Sequence, residues 1–327
     1  METLKKLYPL KFRPILKSAI WGGERISEYK HLPAASGIGE SWEISGVPGS
    51  VSIVSNGELT GKGLDKLIQK YGASLVGNEN IERFGENFPL LIKFIDACDD
   101  LSIQVHPNDE MAEKRHHCKG KTEMWYVLDA EPGANLYAGF KQQITPDEYV
   151  QRVENNTFTD VLALHSIQKG DVFFLPAGVV HAIRKGTFIA EIQQSSDITY
   201  RIYDYNRRDA QGNSRQLHTD QAKDAINYTI GDSNRVEYNK ETNAPNEIIS
   251  CPYFTTSMLH LDEDMQLDYS ELDSFVVLIC LEGACKLESI DGSITLLNEG
   301  ETILIPACVD TVAVLPINEV RLLETFV

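Results

Sequence analysis

The chain has 327 residues, 42% of them hydrophobic, and a formal net charge of -18, enough length and apolar content for two domains or two halves of one large one. So acidic a balance excludes nucleic acid and anionic membrane surfaces as partners, because both reward basic charge. Cys98, Cys118, Cys251, Cys280, Cys285 and Cys308 form no CxxC and no regular ladder, which argues against a zinc ribbon or a disulfide framework and predicts a cytoplasmic protein.

The N-terminal segment METLKKLYPLKFRPIL has no uninterrupted apolar core for a signal peptide, and no run of 18 apolar residues follows it. Residues 1–60 hold short β-like pieces, PLKFRPIL, ESWEISG and SVSIVSNG, separated by Gly and Pro turns, and no helix is expected there. Residues 64–76, LDKLIQKYGASLV, have apolar positions at three- and four-residue spacing and predict one short amphipathic helix. Residues 88–95, FPLLIKFI, form an apolar run around Lys93. A buried ammonium is costly unless it meets a cavity or an anion, and the competing reading is a snorkelling lysine on an edge strand.

In residues 101–109, LSIQVHPND, Gln104 and His106 lie two apart on an extended run and so point to one side. Glu123 opens the run EMWYVL, and His181 closes DVFFLPAGVVHA after the turn Pro176-Ala177-Gly178. Two imidazoles, a carboxylate and an amide oxygen make a candidate divalent-metal site without sulfur. His116, His117 and Cys118 sit between charges in a loop or helix end and rank below that set. Residues 145–164 read as a helical insert, with Thr145 as cap, Pro146 at the first position and Glu148 completing a capping box.

Strands are predicted over 171–176 and 187–193, a helix over 220–228, and a linker over 231–247. An internal echo follows the linker. SFVVLICLEGACKLES and GSITLLNEGETILIPACVDTVAV repeat the plan of EMWYVLDAEPGANLYAG and IQKGDVFFLPAGVVHAI, with Thr311 where His181 stood. The expected fold is mainly β, with two cupin (jelly-roll β-barrel) modules and a small helical insert. The catalytic metal-binding module spans 1–230, and a degenerate second module spans 248–327.

IWGG, LSIQVHPND, GKTEMWYVL, GDVFFLPAGVVHAI and EIQQSSDITYRIYDYNR, in that order, resemble the type I phosphomannose isomerases in their short bacterial form. The resemblance implies a zinc-dependent aldose-ketose isomerase acting on mannose 6-phosphate and fructose 6-phosphate through a cis-enediol. It also implies one Zn2+ per chain held by His106, Glu123 and His181, with Gln104 as fourth protein ligand. Arg201 and Lys121 match catalytic positions, and Lys93, Ser102, Glu191, Asp197 and Trp21 match the substrate pocket. Glu191, Lys121 and a zinc-bound water stay open as the base. Many relatives carry His-Lys-Pro-Glu where this chain has Gly120-Lys121-Thr122-Glu123, so a role given to that His is absent or moved. An ion pair of Arg201 with Asp197 and a core position for Trp21 are the structural alternatives, and Arg207-Arg208 reads as a solvated turn. Two other function classes share such a pocket: a non-catalytic cupin that binds or senses a sugar, and a cupin iron oxygenase. The expected chain is a monomer or weak homo-oligomer.

Overall fold

The computed structural model describes residues 6–208, 211–231 and 233–327, which leaves the first five residues of the N-terminal segment and residue 232 of the expected linker outside. Strands, all paired antiparallel, are the commonest element, and the architecture is mainly β. The first half builds two sheets. A seven-stranded sheet runs Arg235–Val236, Val172–Leu175, Glu123–Ala130, Thr187–Gln194, Leu90–Ala97, Ile15–Gly23 and Ile38–Ser45 in spatial order. A five-stranded sheet runs Tyr200–Tyr203, Ile103–Val105, His181–Ile183, Asn135–Phe140 and Leu162–Ser166.

The second half is an eight-stranded sheet centred on the long pair Val276–Ser289 and Thr311–Phe326. Leu10 and Lys11 pair with Leu304 and Ile303, so the N-terminus completes the sheet of the other half. The expected linker is partly structured: Arg235–Val236 extends the first half's sheet, and Pro245–Ser250 opens the second by pairing with Thr255–Leu261. One apolar cluster joins Phe88 and Phe94 of the first half to Phe254, Phe275 and Val277 of the second.

Local chemistry moves several predicted boundaries. The helix expected over 64–76 breaks at Gly72, whose φ of 51° is left-handed, into Leu64–Tyr71 and Ala73–Val76. Helices Arg25–Tyr29 and Asn78–Phe84 were not expected, being too short for a clear periodicity. The insert is shorter than predicted: helix Pro146–Glu154, a 3-10 turn Phe158–Val161, then strand Leu162–Ser166. Thr145 does cap it, accepting from the Glu148 backbone N–H at 3.1 Å, but Glu148 turns to Arg152 at 2.8 Å instead of closing the box.

The echo is imperfect at Gly283. The first copy turns between two strands, whereas the second continues as Val276–Ser289 with a bulge at Gly283, where φ is 75° and a Cβ would lie 2.1 Å from the Glu319 carbonyl.

Candidate active site

Register places the site between the two sheets of the first half. Gln104 faces His181 on one neighbouring strand and Arg201 on the other, so the three side chains stand abreast on one face. Glu123 comes from the opposing seven-stranded sheet, and His106 follows strand Ile103–Val105 directly. The inward atoms of His106, Glu123 and His181 all lie within 4.8 Å of one another. His181 Nε2 is 3.3 Å from Glu123 Oε1, and His106 Nε2 is 3.6 Å from Glu123 Oε2.

The tautomers follow from the outer contacts. His106 Nδ1 is 2.8 Å from the Ile198 carbonyl and His181 Nδ1 is 2.9 Å from that of Val179. Carbonyls only accept, so each Nδ1 donates and each Nε2 presents a lone pair inward. Burial holds both imidazoles neutral, lowering His181 to about 4 and His106 well below its usual value. Burial and the charge of Glu191 push Glu123 up to about 7. His106 Nε2 and both oxygens of Glu123 are buried and accept no well-directed hydrogen bond. Orphaned donors to a cation, all nitrogen or oxygen and all convergent, fit a divalent metal ion. Gln104 presents its amide nitrogen 3.3 Å from His181 Nε2, and rotating the amide by half a turn brings its oxygen there.

A charged wall adjoins the cluster. Lys93 lies on strand Leu90–Ala97, which is interior to its sheet and not an edge, with its ammonium 3.1 Å from Glu191 Oε1 and 3.4 Å from Glu40 Oε2. Lys121 Nζ is 3.0 Å from Glu123 Oε2 and 3.5 Å from Glu191 Oε1. Trp125 Nε1 donates to Glu191 Oε2 at 2.9 Å. Burial alone would raise Glu191 and lower Lys93. The two lysines overcome it at Glu191 and hold that carboxyl at about 2, while Glu191 and Glu40 overcome it at Lys93 and keep its ammonium above its usual pKa.

Arg201 stands at the edge of this site, half-buried, donating from Nε to Ser102 Oγ at 3.3 Å and from a terminal nitrogen to the Gln216 carbonyl at 3.0 Å. Ser102 in turn reaches Gln104 Oε1 at 3.4 Å. Among the described residues no carboxylate forms an ion pair with Arg201, which removes the Asp197 pairing; Asp197 is exposed and acts only at range, its charge helping to raise Lys93. Trp21 packs in an apolar cluster with Ile95, Leu101 and Trp125, which is the core position. Arg207 is not a solvated turn residue: it braces Asp204 at 2.6 Å, as Arg215 does from the other side, whereas Arg208 is exposed. His116 ends helix Asp109–His116 and meets Tyr200 Oη at 2.7 Å, His117 caps that helix, and neither joins a metal cluster among the described residues.

Gly120 explains the missing His. A Cβ there would come within 2.6 Å of the Asn108 and Asp109 backbone, so no larger residue fits this chain trace. Sequence reasoning missed Glu40 as a partner of Lys93, although its parity with Trp42 on ESWEISG, whose indole it accepts at 2.6 Å, places both on one face. It also missed Asp109 and Gln194, which pair across 85 residues.

Residues 10–134 match the sequence family described as phosphomannose isomerase type I, catalytic domain. Mannose-6-phosphate isomerase ManA of Bacillus subtilis is 34% identical over 284 residues, 86% of this chain and 88% of that protein. A mannose-6-phosphate isomerase of Streptococcus mutans is 40% identical over 68% of each chain. The crystal structure of the mannose 6-phosphate isomerase from Bacillus subtilis superposes with a TM-score of 0.88 at 28% identity, covering 98% of this chain and 99% of that one. A putative mannosephosphate isomerase from Archaeoglobus fulgidus, 22% identical with a TM-score of 0.79 over 97% of this chain and 96% of its own, shares the fold. With the His106, Glu123 and His181 cluster set between two jelly-roll sheets and these similarities along nearly its whole length, the chain belongs to the type I phosphomannose isomerase family.

Proposed function

We propose that the chain interconverts mannose 6-phosphate and fructose 6-phosphate, using one zinc ion held by His106, Glu123, His181 and the amide oxygen of Gln104. The observation that carries this reading is the buried, convergent triad of His106, Glu123 and His181, in which His106 Nε2 and the Glu123 oxygens accept no well-directed hydrogen bond. Relatives named mannose-6-phosphate isomerase at 34% and 40% identity support the substrate. When bound, the ion supplies a Lewis acid and a template for the sugar oxygens.

In the forward direction the C2–H bond of the open-chain aldose breaks and a C1–H bond forms, while a proton passes from the O2 hydroxyl to O1. The intermediate is a cis-enediol. Its carrier must both take and give a proton. Glu191, held near 2, stays ionised, and Lys93, held above its usual value, stays protonated, so both act as fixed charges. The histidines donate from Nδ1 to backbone carbonyls and turn Nε2 inward as ligands. Of the side chains open as the base, that leaves Lys121, in contact with Glu123 and Glu191, and we assign it the proton transfer. Lys93 offers positive charge to the developing enediolate. Arg201, with no carboxylate ion partner among the described residues and with Ser102 beside it, takes the 6-phosphate by charge-assisted hydrogen bonds.

Residues 1–230 form the catalytic module in this reading, 231–247 join it to 248–327, and the enzyme works in the cytoplasm as a monomer or weak homo-oligomer. A coupled assay of mannose 6-phosphate turnover, before and after chelation and with zinc restored, tests the function. Turnover lost with chelator and regained with zinc is expected, and His181→Ala abolishes both zinc retention and turnover. A His181→Ala protein with full zinc content and unchanged turnover sinks the assignment.

A further inference from the structure

We infer that Asp109 and Gln194 are positioning residues that clamp the backbone of residues 120–122 and thereby aim Lys121; the inference rests on the role given to Lys121 above. The ladder between strands Glu123–Ala130 and Thr187–Gln194 ends at the pair Glu123 and Gln193. One residue further the pairing passes to a side chain. Gln194 Oε1 accepts from the Thr122 backbone N–H at 2.8 Å, and Gln194 Nε2 donates to Asp109 Oδ1 at 2.9 Å. The same Asp109 oxygen accepts from the Gly120 N–H at 2.8 Å. Between them, the Lys121 N–H donates to the Pro107 carbonyl at 3.1 Å, and the Thr122 carbonyl accepts from the Gln194 N–H at 3.1 Å.

Three successive backbone donors therefore each have an acceptor, two of them side-chain oxygens brought in from other elements. Asp109 is itself fixed at the start of helix Asp109–His116, whose cap Asn108 accepts from the Met111 N–H at 2.9 Å. Gln194 is buried at 4% exposure, and its amide bridges both anchors in one plane of contacts. Gly120 leaves no room for a Cβ at the point of closest approach, so the segment lies directly against the backbone of residues 107–109. Lys121 is long and flexible, and its ammonium must sit between Glu123 and Glu191. A backbone held at every amide removes the motion that would carry the ammonium away from the reacting carbons.

The test uses the full, zinc-loaded chain. Gln194→Met keeps the side-chain volume and loses both hydrogen bonds, Asp109→Ala loses the shared acceptor, and Asp109→Asn retains it. Turnover, KM, metal per chain and amide exchange of residues 120–122 are measured together. Gln194→Met and Asp109→Ala are expected to lower kcat by up to about 100-fold, the size expected of misplacement by about an ångström. KM and metal content stay unchanged, exchange of the segment quickens, and Asp109→Asn recovers most of the turnover. In a Lys121→Ala background, Gln194→Met then costs nothing further, because the group it positions is gone. Losses that multiply in the double variant, or that follow metal content, would overturn the clamp while leaving Lys121 in place. A Lys121→Ala protein with unchanged turnover would overturn the role of Lys121 and the purpose of the clamp together.

Discussion

Glu191→Gln isolates the charge that holds the two lysines. Glu191 Oε1 lies 3.1 Å from Lys93 Nζ and 3.5 Å from Lys121 Nζ, and the three side chains are at most 6% exposed. Glutamine keeps the volume and an oxygen for the Trp125 indole, so the quantity removed is charge. Breaking one partner out of a buried pair costs about 3–5 kcal/mol. Lys93 keeps Glu40 at 3.4 Å and Lys121 keeps Glu123 at 3.0 Å, which favours the lower end, about 3 kcal/mol. An unfolding entropy of about 2.1 cal/mol/K per residue over 327 residues gives about 0.7 kcal/mol/K, so Tm falls by about 4 °C. Lys93→Met alone is expected to destabilise as well, by stranding Glu191 against Lys121. The double variant Lys93→Met/Glu191→Gln removes both charges and recovers much of the loss, because only Glu40, which is partly exposed, is then left without its ammonium. Calorimetry of the metal-loaded protein, with metal content measured in parallel, checks this. An unchanged Tm in Glu191→Gln, or strictly additive losses in the double variant, would refute the idea that these ions hold one another in a low-dielectric interior.

Arg201→Ala removes charge-assisted hydrogen bonds worth about 1.5–3 kcal/mol, so KM for mannose 6-phosphate rises roughly 10- to 150-fold; an equal rise for unphosphorylated mannose would show that Arg201 does not meet the phosphate. Gly283→Ala puts a Cβ 2.1 Å from the Glu319 carbonyl at a φ of 75° and is expected to cost at least about 1–3 kcal/mol in thermal unfolding without changing kcat. Unaltered stability would mean that the bulge can relax.

Strand parity carried much of the site. Gln104 and His106 could be put on one side from their spacing, and Lys93 stood out because an ammonium in an apolar run demands a partner. What parity does not contain is which strands are neighbours. Gln104 meets Arg201 and His181 by pairings 97 and 77 residues apart (201-104 and 181-104), and Glu40 reaches Lys93 across 53 residues. Such contacts depend on loop closure and on the packing of whole sheets, for which one short stretch holds no pattern. Helix Arg25–Tyr29 escaped for a related reason: five residues cannot show a period of 3.6, and the segment is held by tertiary contacts. Lys30 beyond it pairs with Glu43 at 2.8 Å, and Tyr29 Oη donates to the Leu281 carbonyl at 2.9 Å.

Those contacts bear on how the second half supports the first. The first half buries Lys93, Lys121, Glu123 and Glu191 within a few ångströms, an arrangement that costs free energy even when the charges are paired. In the second half an apolar cluster gathers aliphatic residues such as Leu259, Leu278, Leu287, Ile303, Val314 and Leu322. Each such side chain contributes about 1.5–3 kcal/mol on burial without any polar group to satisfy. The two interiors do not fold as strangers. Leu10 and Lys11 pair into the far sheet, Tyr29 and Lys30 bond to its carbonyls, and Phe88 packs at a tilt against Phe275 at a ring separation of 4.7 Å. The apolar cluster of the second half is thus joined through a common core to a half whose interior holds paired charges.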